Sequence, residues 1–270
     1  MTVRTQRFAA AGPAPALEVR NFAGSVTVDG REDASEVTVE VEPLDSAAEG
    51  QLDRVEVSAS ESRIRVSAPE RRLWRSPSFA VRIVAPAGID ARVETASASA
   101  DLRGRLGRVR LTTASGDASV EACASLKVRT ASGDTRADSV DGRATVGAAS
   151  GDVRIGRVGT GVDVRTASGD VSVDESTGDV AVGTASGDVS IGTVHSGAVK
   201  VRTASGDVEI GVVPGQRVWL ELSSVSGRMD SQLAGEDPED MAGADEPAAV
   251  TLSLKSMSGD LRIRRAATAE

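Results

Sequence analysis

The chain has 270 residues, 31 Lys and Arg against 40 Asp and Glu, a net charge of -9, and 2% aromatic residues with no Tyr. One Cys and one His exclude an internal disulfide and any zinc site needing two Cys or a His/Cys set, and a Ser-His-Asp enzyme would have to use His195. An acidic chain almost without aromatics lacks both a phosphate-neutralising excess and base-stacking platforms, so no nucleic-acid partner is expected.

No run approaches the roughly 18–20 apolar residues of a membrane span, so no integral membrane segment is expected. Residues 1–11 carry Arg4 and Arg7 with no apolar stretch behind them, which reads as the lack of a secretory signal. A cytoplasmic protein is therefore expected, and the single Cys123 suits a reducing compartment. Basic charge is carried by Arg, with Lys only at 127, 200 and 255, a composition typical of GC-rich bacteria.

Residues 1–94 form short alternating segments: Leu17-Glu-Val-Arg, Ser25-Val-Thr-Val, Val37-Thr-Val-Glu-Val, Val55-Glu-Val, Ile64-Arg-Val and Val81-Arg-Ile-Val. Period two predicts strands. Turns are expected at Asp29-Gly30 and Pro86-Ala87-Gly88, and one short helix over 46–53. Arg71, Arg72, Trp74 and Arg75 make a basic, aromatic island in an acidic protein. Either they anchor a partner, or Trp74 seals a cap with the arginines solvated around it.

Residues 95–215 are governed by a repeat. Thr113-Ala-Ser-Gly-Asp117 returns at Thr130, Ala148, Thr166, Thr184 and Thr203, with degenerate copies at Thr95, Ser224 and Ser256. Corner glycines 116, 133, 151, 169, 187 and 206 lie 17 to 19 residues apart, and a weaker glycine set (142, 161, 178, 197, 215) falls between them. The unit is about nine residues, and two units make one coil of about 18. Val171 and Val173 alternate with Ser172, and Val199 and Val201 with Lys200 and Arg202.

Two short strands and two glycine corners per 18 residues describe a flattened, right-handed parallel β-solenoid with coils about 4.8 Å apart. Val171, Val189 and Val208 should then stack inside, as should Val173, Ile191 and Ile210. An antiparallel β-meander is the alternative, since nine-residue spacing also suits hairpins. Residues 1–94 read as less regular strands and a cap continuous with the solenoid, because a bare end exposes strand edges.

Asp117, Asp134, Asp152, Asp170, Asp188 and Asp207 would form a carboxylate ladder. Calcium β-rolls also use 18-residue coils, but their corners carry several glycines, whereas here each corner has only Ser-Gly-Asp. The simpler expectation is that each Asp accepts corner N–H groups or faces water; a calcium-binding β-roll is the alternative. A β-helix carbohydrate-active enzyme is the other alternative, but its groove needs long loops, and corners 113–215 are short. His195 reads as a solvated corner residue and Cys123 as a small packing residue. Arg129, Arg165 and Arg202 recur in alternate coils, with Gly147 and Gly183 in the same slot between them, and are expected to pair with neighbouring carboxylates.

The C-terminal part, 216–270, has strands at Val218-Trp-Leu-Glu-Leu, Val250-Thr-Leu-Ser-Leu and Leu261-Arg-Ile, with an acidic loop at 231–247. Val218, Leu220 and Leu222 share one face, so Trp219 lies on the other with Arg217 and Glu221. Residues 230–247 are expected to cover it; an uncovered Trp219 would be an interaction residue.

The Thr-Ala-Ser-Gly-Asp-Val-x-Val/Ile repeats, with the 17–28, 37–43 and 81–88 segments, resemble a bacterial β-strand-repeat family known as "putative adhesins" or the toastrack domain, over about 15–264. That resemblance implies a non-enzymatic β-solenoid with no cofactor and no catalytic motif, some of whose relatives serve envelope-stress signalling. The expected function is thus an adhesin-like binding or scaffold module for a protein or glycan partner.

Overall fold

The computed structural model describes residues 3–9, 15–60, 62–70, 77–233 and 250–266. Among them are twenty-three strands, one α-helical turn and one 3-10 turn. The chain forms two compact units, 1–141 and 142–270. Each is built from right-handed coils of parallel β-solenoid.

In the second unit the repeat becomes register. Val171 pairs with Val189 and Val173 with Ile191; these pair in turn with Val208 and Ile210, and those with Leu261 and Ile263. All these pairings are parallel, so the meander is excluded. Every side chain of these two ladders is buried. Each contributes roughly 1.5–3 kcal/mol relative to an exposed position, so β-branched residues can fill the thin interior without aromatics. The opposite wall is Val162-Val180-Val199-Leu252 and Val164-Val182-Val201-Leu254.

The corners explain the Ser-Gly-Asp signature. Gly187 has φ +133°, and a Cβ there would lie 2.2 Å from the carbonyl oxygen of Gly169 in the coil below. Coils can stack at strand spacing only if this position has no side chain. Beside it, the Thr184 hydroxyl donates to the Ser186 carbonyl at 3.0 Å, and Thr166 does the same to Ser168 at 2.8 Å.

The coils of this unit do not stack in chain order. Strand Gly197–Ser205 pairs with Val250–Ser258, which pairs on its other side with Val218–Ser226. Leu261–Arg265 likewise lies between Val208–Val212 and Met229–Ser231. The last coil in sequence is therefore inserted beneath the one before it. The outer coil is left half-covered: Trp219, Val225 and Met229 are exposed on it, and Met257 on its neighbour.

The first unit has the same device. Strand Ala16–Asn21 lies between Arg63–Ser67 and Ala91–Thr95, and Gly24–Arg31 between Phe79–Pro86 and Ser99–Thr112. One wall of the interior reads Ile64-Leu17-Ala91-Val109-Leu126 and Val66-Val19-Val93-Leu111-Val128 across five strands. Antiparallel strands close this end: Arg4–Ala9 on Glu36–Pro43, Glu36–Pro43 on Phe79–Pro86, and Glu56–Ser60 on Arg63–Ser67. Strand pairing, rather than a side-chain plug, satisfies these edges.

Two local expectations change. Asp29-Gly30 is no turn; it lies inside Gly24–Arg31, because the Gly30 position faces the Arg105 carbonyl and the strand continues past it. The helix expected over 46–53 splits into Ser46–Glu49 and a 3-10 turn Leu52–Arg54, with Asp45 capping the first by accepting the Ala48 N–H at 2.7 Å. The Pro86-Ala87-Gly88 turn is present, with Gly88 at φ +78°.

Candidate functional site

The Asp ladder is built into the main chain. In the second unit Asp152 accepts the N–H of Asp170 at 3.0 Å, Asp170 that of Asp188 at 2.9 Å, Asp188 that of Asp207 at 2.8 Å, and Asp207 that of Asp260 at 2.8 Å. Asp260 accepts from Arg228, and in the first unit Asp117 accepts from Asp134. One oxygen of each of these carboxylates therefore holds the next coil. Among the described residues no three His, Cys, Asp or Glu side chains converge on a common point. The hydrogen-bonded reading of the ladder accounts for the Asp positions without calcium.

The single histidine has a structural partner: His195 Nε2 lies 2.7 Å from Glu175 Oε1 on the adjacent coil. Cys123 is buried, and burial, then the charge of Asp141, pushes its thiol up to about 12. It is a poor nucleophile, as expected of a packing residue. Of the three recurring arginines only Arg165 has an ion-pair partner among the described residues, Asp163 at 3.5 Å. Arg129 and Arg202 do not pair as expected, and Gly183 sits in register between Arg165 and Arg202, which keeps two cations from adjacent rungs. Arg71, Arg72, Trp74 and Arg75 lie outside the described residues. Trp219 is 66% exposed, in register with Thr251 on the outermost coil. The cover expected from 230–247 falls mostly on residues outside those described.

One constellation escaped the sequence reading. On the outer face of the first unit, one row runs Ser58, Arg65, Glu18, Arg92, Arg110, Lys127 across six strands. On one side Ser60, Arg63 and Ala16 are in register, as are Arg108 and Ser125, with Asp90 accepting from the Leu17 and Arg108 N–H groups between them. On the other side the row is Glu56, Ser67, Arg20, Glu94, Thr112, Arg129. Glu18 is the anchor. It is buried, and its carboxylate lies 3.1 Å from Arg65, 3.4 Å from Arg20 and 3.5 Å from Arg63. Burial alone would raise its carboxyl, but the Arg65 hydrogen bond and the charges of Arg65, Arg20 and Arg63 hold it below the usual range.

Asp90 behaves alike: burial opposes ionisation, and the hydrogen bonds and charge of Arg108 outweigh it. Arg92 is held by Glu94 at 2.9 Å through Nε. Arg110, Lys127 and Arg129 have no ion-pair partner among the described residues. A groove of about 390 Å³ lies over this face, lined by Glu18, Arg20, Arg63, Arg92, Arg108 and Arg110 among others. The signal was present in sequence as Arg63-x-Arg65, Arg108-x-Arg110 and Lys127-x-Arg129, but nothing local shows that these segments share a face.

Stacked coils with hydrogen-bonded Asp corners and laddered outer faces define a repeat protein of the parallel β-solenoid class. Residues 18–264 match the family model described as Toastrack DUF4097, and the chain belongs to that family. It is similar to a solved "putative adhesin" from Parabacteroides distasonis, with 12% identity, 97% of each chain covered and a TM-score of 0.38. It is also similar to a "putative adhesin" from Parabacteroides merdae, with 9% identity, 96% and 95% coverage and a TM-score of 0.37. A third is a "putative lipid binding protein" from Parabacteroides distasonis, with 10% identity, 98% and 97% coverage and a TM-score of 0.40. No curated protein matches the sequence.

Proposed function

We propose that this chain is a non-catalytic, adhesin-like binding module that recognises a protein or glycan partner through its outer sheet faces. One observation carries the reading. Outward side chains on neighbouring strands are held in register, while the repeated carboxylates that could have served chemistry are spent on holding coils together. Such a face is rigid, and its contacts need little ordering on binding.

Trp219 belongs to the proposal as a partner contact on the C-terminal coil, supported by its exposure beside Val225 and Met229. Among the described residues no helix is long and apolar enough to cross a membrane. The cytoplasmic location expected from composition is carried as a proposal, and fractionation of the source cell tests it.

The functional test presents the purified full chain to a panel of neutral and acidic polysaccharides and to envelope proteins. Retention and turnover are measured together. Retention without bond cleavage supports a binding module. Release of new reducing ends or unsaturated products overturns it, as does the lack of retention by every member of the panel.

A further inference from the structure

Resting on the binding-module reading, we propose that the row Arg65, Arg92, Arg110, Lys127 is the binding site for a linear acidic polysaccharide, one that carries a carboxylate on successive sugars. Across the three rows eight cations face four carboxylates, in a chain whose net charge is -9. The excess lies in the middle row, where four cations face only Glu18, and Glu18 is buried beneath them.

Like charges directly opposite each other destabilise a sheet. Arg92, Arg110 and Lys127 nevertheless occupy three successive rungs with no residue between them. Elsewhere the protein avoids this. Gly183 separates Arg165 from Arg202, and where Lys255 stands beside Arg202 it is 3.1 Å from Glu221. Lys127 has no such neutralising group among the described residues, and Arg110 has only the charge of Asp90, whose carboxylate is already hydrogen-bonded to Arg108. Both are exposed at a groove or beside it, where an incoming anion can reach them.

The shape of the charge selects the ligand. Cations repeat at the strand spacing of about 4.8 Å along a line. The side rows carry Asp90, Glu94 and Glu56, which bracket a line but would be pressed against a flat anionic membrane. Among the described residues these rows carry no aromatic side chain on which bases could stack. A uronic-acid chain carries a carboxylate on each sugar along a line, and Arg presents a planar fork suited to carboxylate.

The test uses the full chain and polygalacturonate as probe, with dextran, phosphatidylglycerol vesicles and a single-stranded oligonucleotide alongside, by affinity electrophoresis and calorimetry. Retention by polygalacturonate is expected to weaken with added salt. It should fall roughly tenfold per cation removed in Arg110→Ser, Lys127→Ser and the double variant. The melting midpoint of these variants should hold or rise, because repulsion is relieved, and Arg165→Ser should bind as the parent does. No retention by polygalacturonate, retention indifferent to the double variant, or stronger binding to vesicles or oligonucleotide each overturns the proposal. Failure here together with retention of a neutral glycan or an envelope protein would leave the binding-module reading standing.

Discussion

Asp188 donates its backbone N–H to Oδ1 of Asp170 at 2.9 Å, so a side chain of one coil completes the main chain of the next. The same bond recurs through Asp152, Asp207 and Asp260. Replacing Asp170 by Ala should lower stability by about 1–2 kcal/mol, with loss of one charge-assisted bond at an exposed corner. Asp170→Asn, which keeps an acceptor, should cost less. Thermal melts of the three proteins check this, and calcium or chelator should leave the parent's midpoint unmoved. A calcium-dependent rise would show that the carboxylates have a second role.

Corner and strand glycines should respond in opposite ways. At Gly187 an added Cβ meets the backbone of Gly169, and φ +133° is strained for any L side chain. Gly187→Ala should destabilise by at least about 1–3 kcal/mol. Gly183 has nothing within 4 Å of its added Cβ, so Gly183→Ala should be neutral or stabilising by about 0.4–1 kcal/mol. Denaturant midpoints at constant m-value separate the two.

Acid should weaken the N-terminal unit through Glu18 and Asp90. Both carboxyls sit below their ordinary values in the folded protein. Their contribution is therefore present above the unfolded-state pKa and is lost as pH falls through the folded one. The midpoint should drop as pH falls below 4.5 for Glu18 and 3.8 for Asp90. Glu18→Gln should remove part of that pH dependence and cost about 1 kcal/mol at pH 7, because its half-exposed arginine partners are screened.

Exposure of Trp219 can be seen optically. In a Trp74→Phe background only Trp219 emits. Its fluorescence should be red-shifted and readily quenched by acrylamide, and Trp219→Ala should change stability by less than about 0.5 kcal/mol. Weaker partner retention in that variant, at unchanged circular dichroism, would place Trp219 in the contact.

Cys123 should be silent in the native state. With its thiol pushed up to about 12, it should resist a thiol reagent at pH 8 and react at the rate of unfolding.

The repeat made the architecture readable. Val171, Val189 and Val208 sit 18 and 19 residues apart, and a period-two pattern that recurs at such a distance can bury its apolar side only by stacking. Cys123 was legible as a packing residue for a simpler reason: no basic or histidine neighbour in sequence lowers its pKa, whereas the pairing of His195 with Glu175 one coil away was not legible. Asp29-Gly30 misled because a turn-forming pair can be held extended by strands on both sides.

What the sequence by itself determined is the coil: its length, its Val and Ile interior, its glycine corners and the Asp that follows each. These depend on contacts between residues about 18 positions apart, and the repeat writes them out. Only the tertiary structure decided which coils are neighbours. Residues 16–31 are inserted between coils that follow them, and 250–265 beneath a coil that precedes them, because an inserted strand satisfies two open edges at once. That insertion sets Glu18 between Arg65 and Arg92 and so completes the cationic row. Its four cations come from four separate strands, and no local pattern along the chain records their meeting.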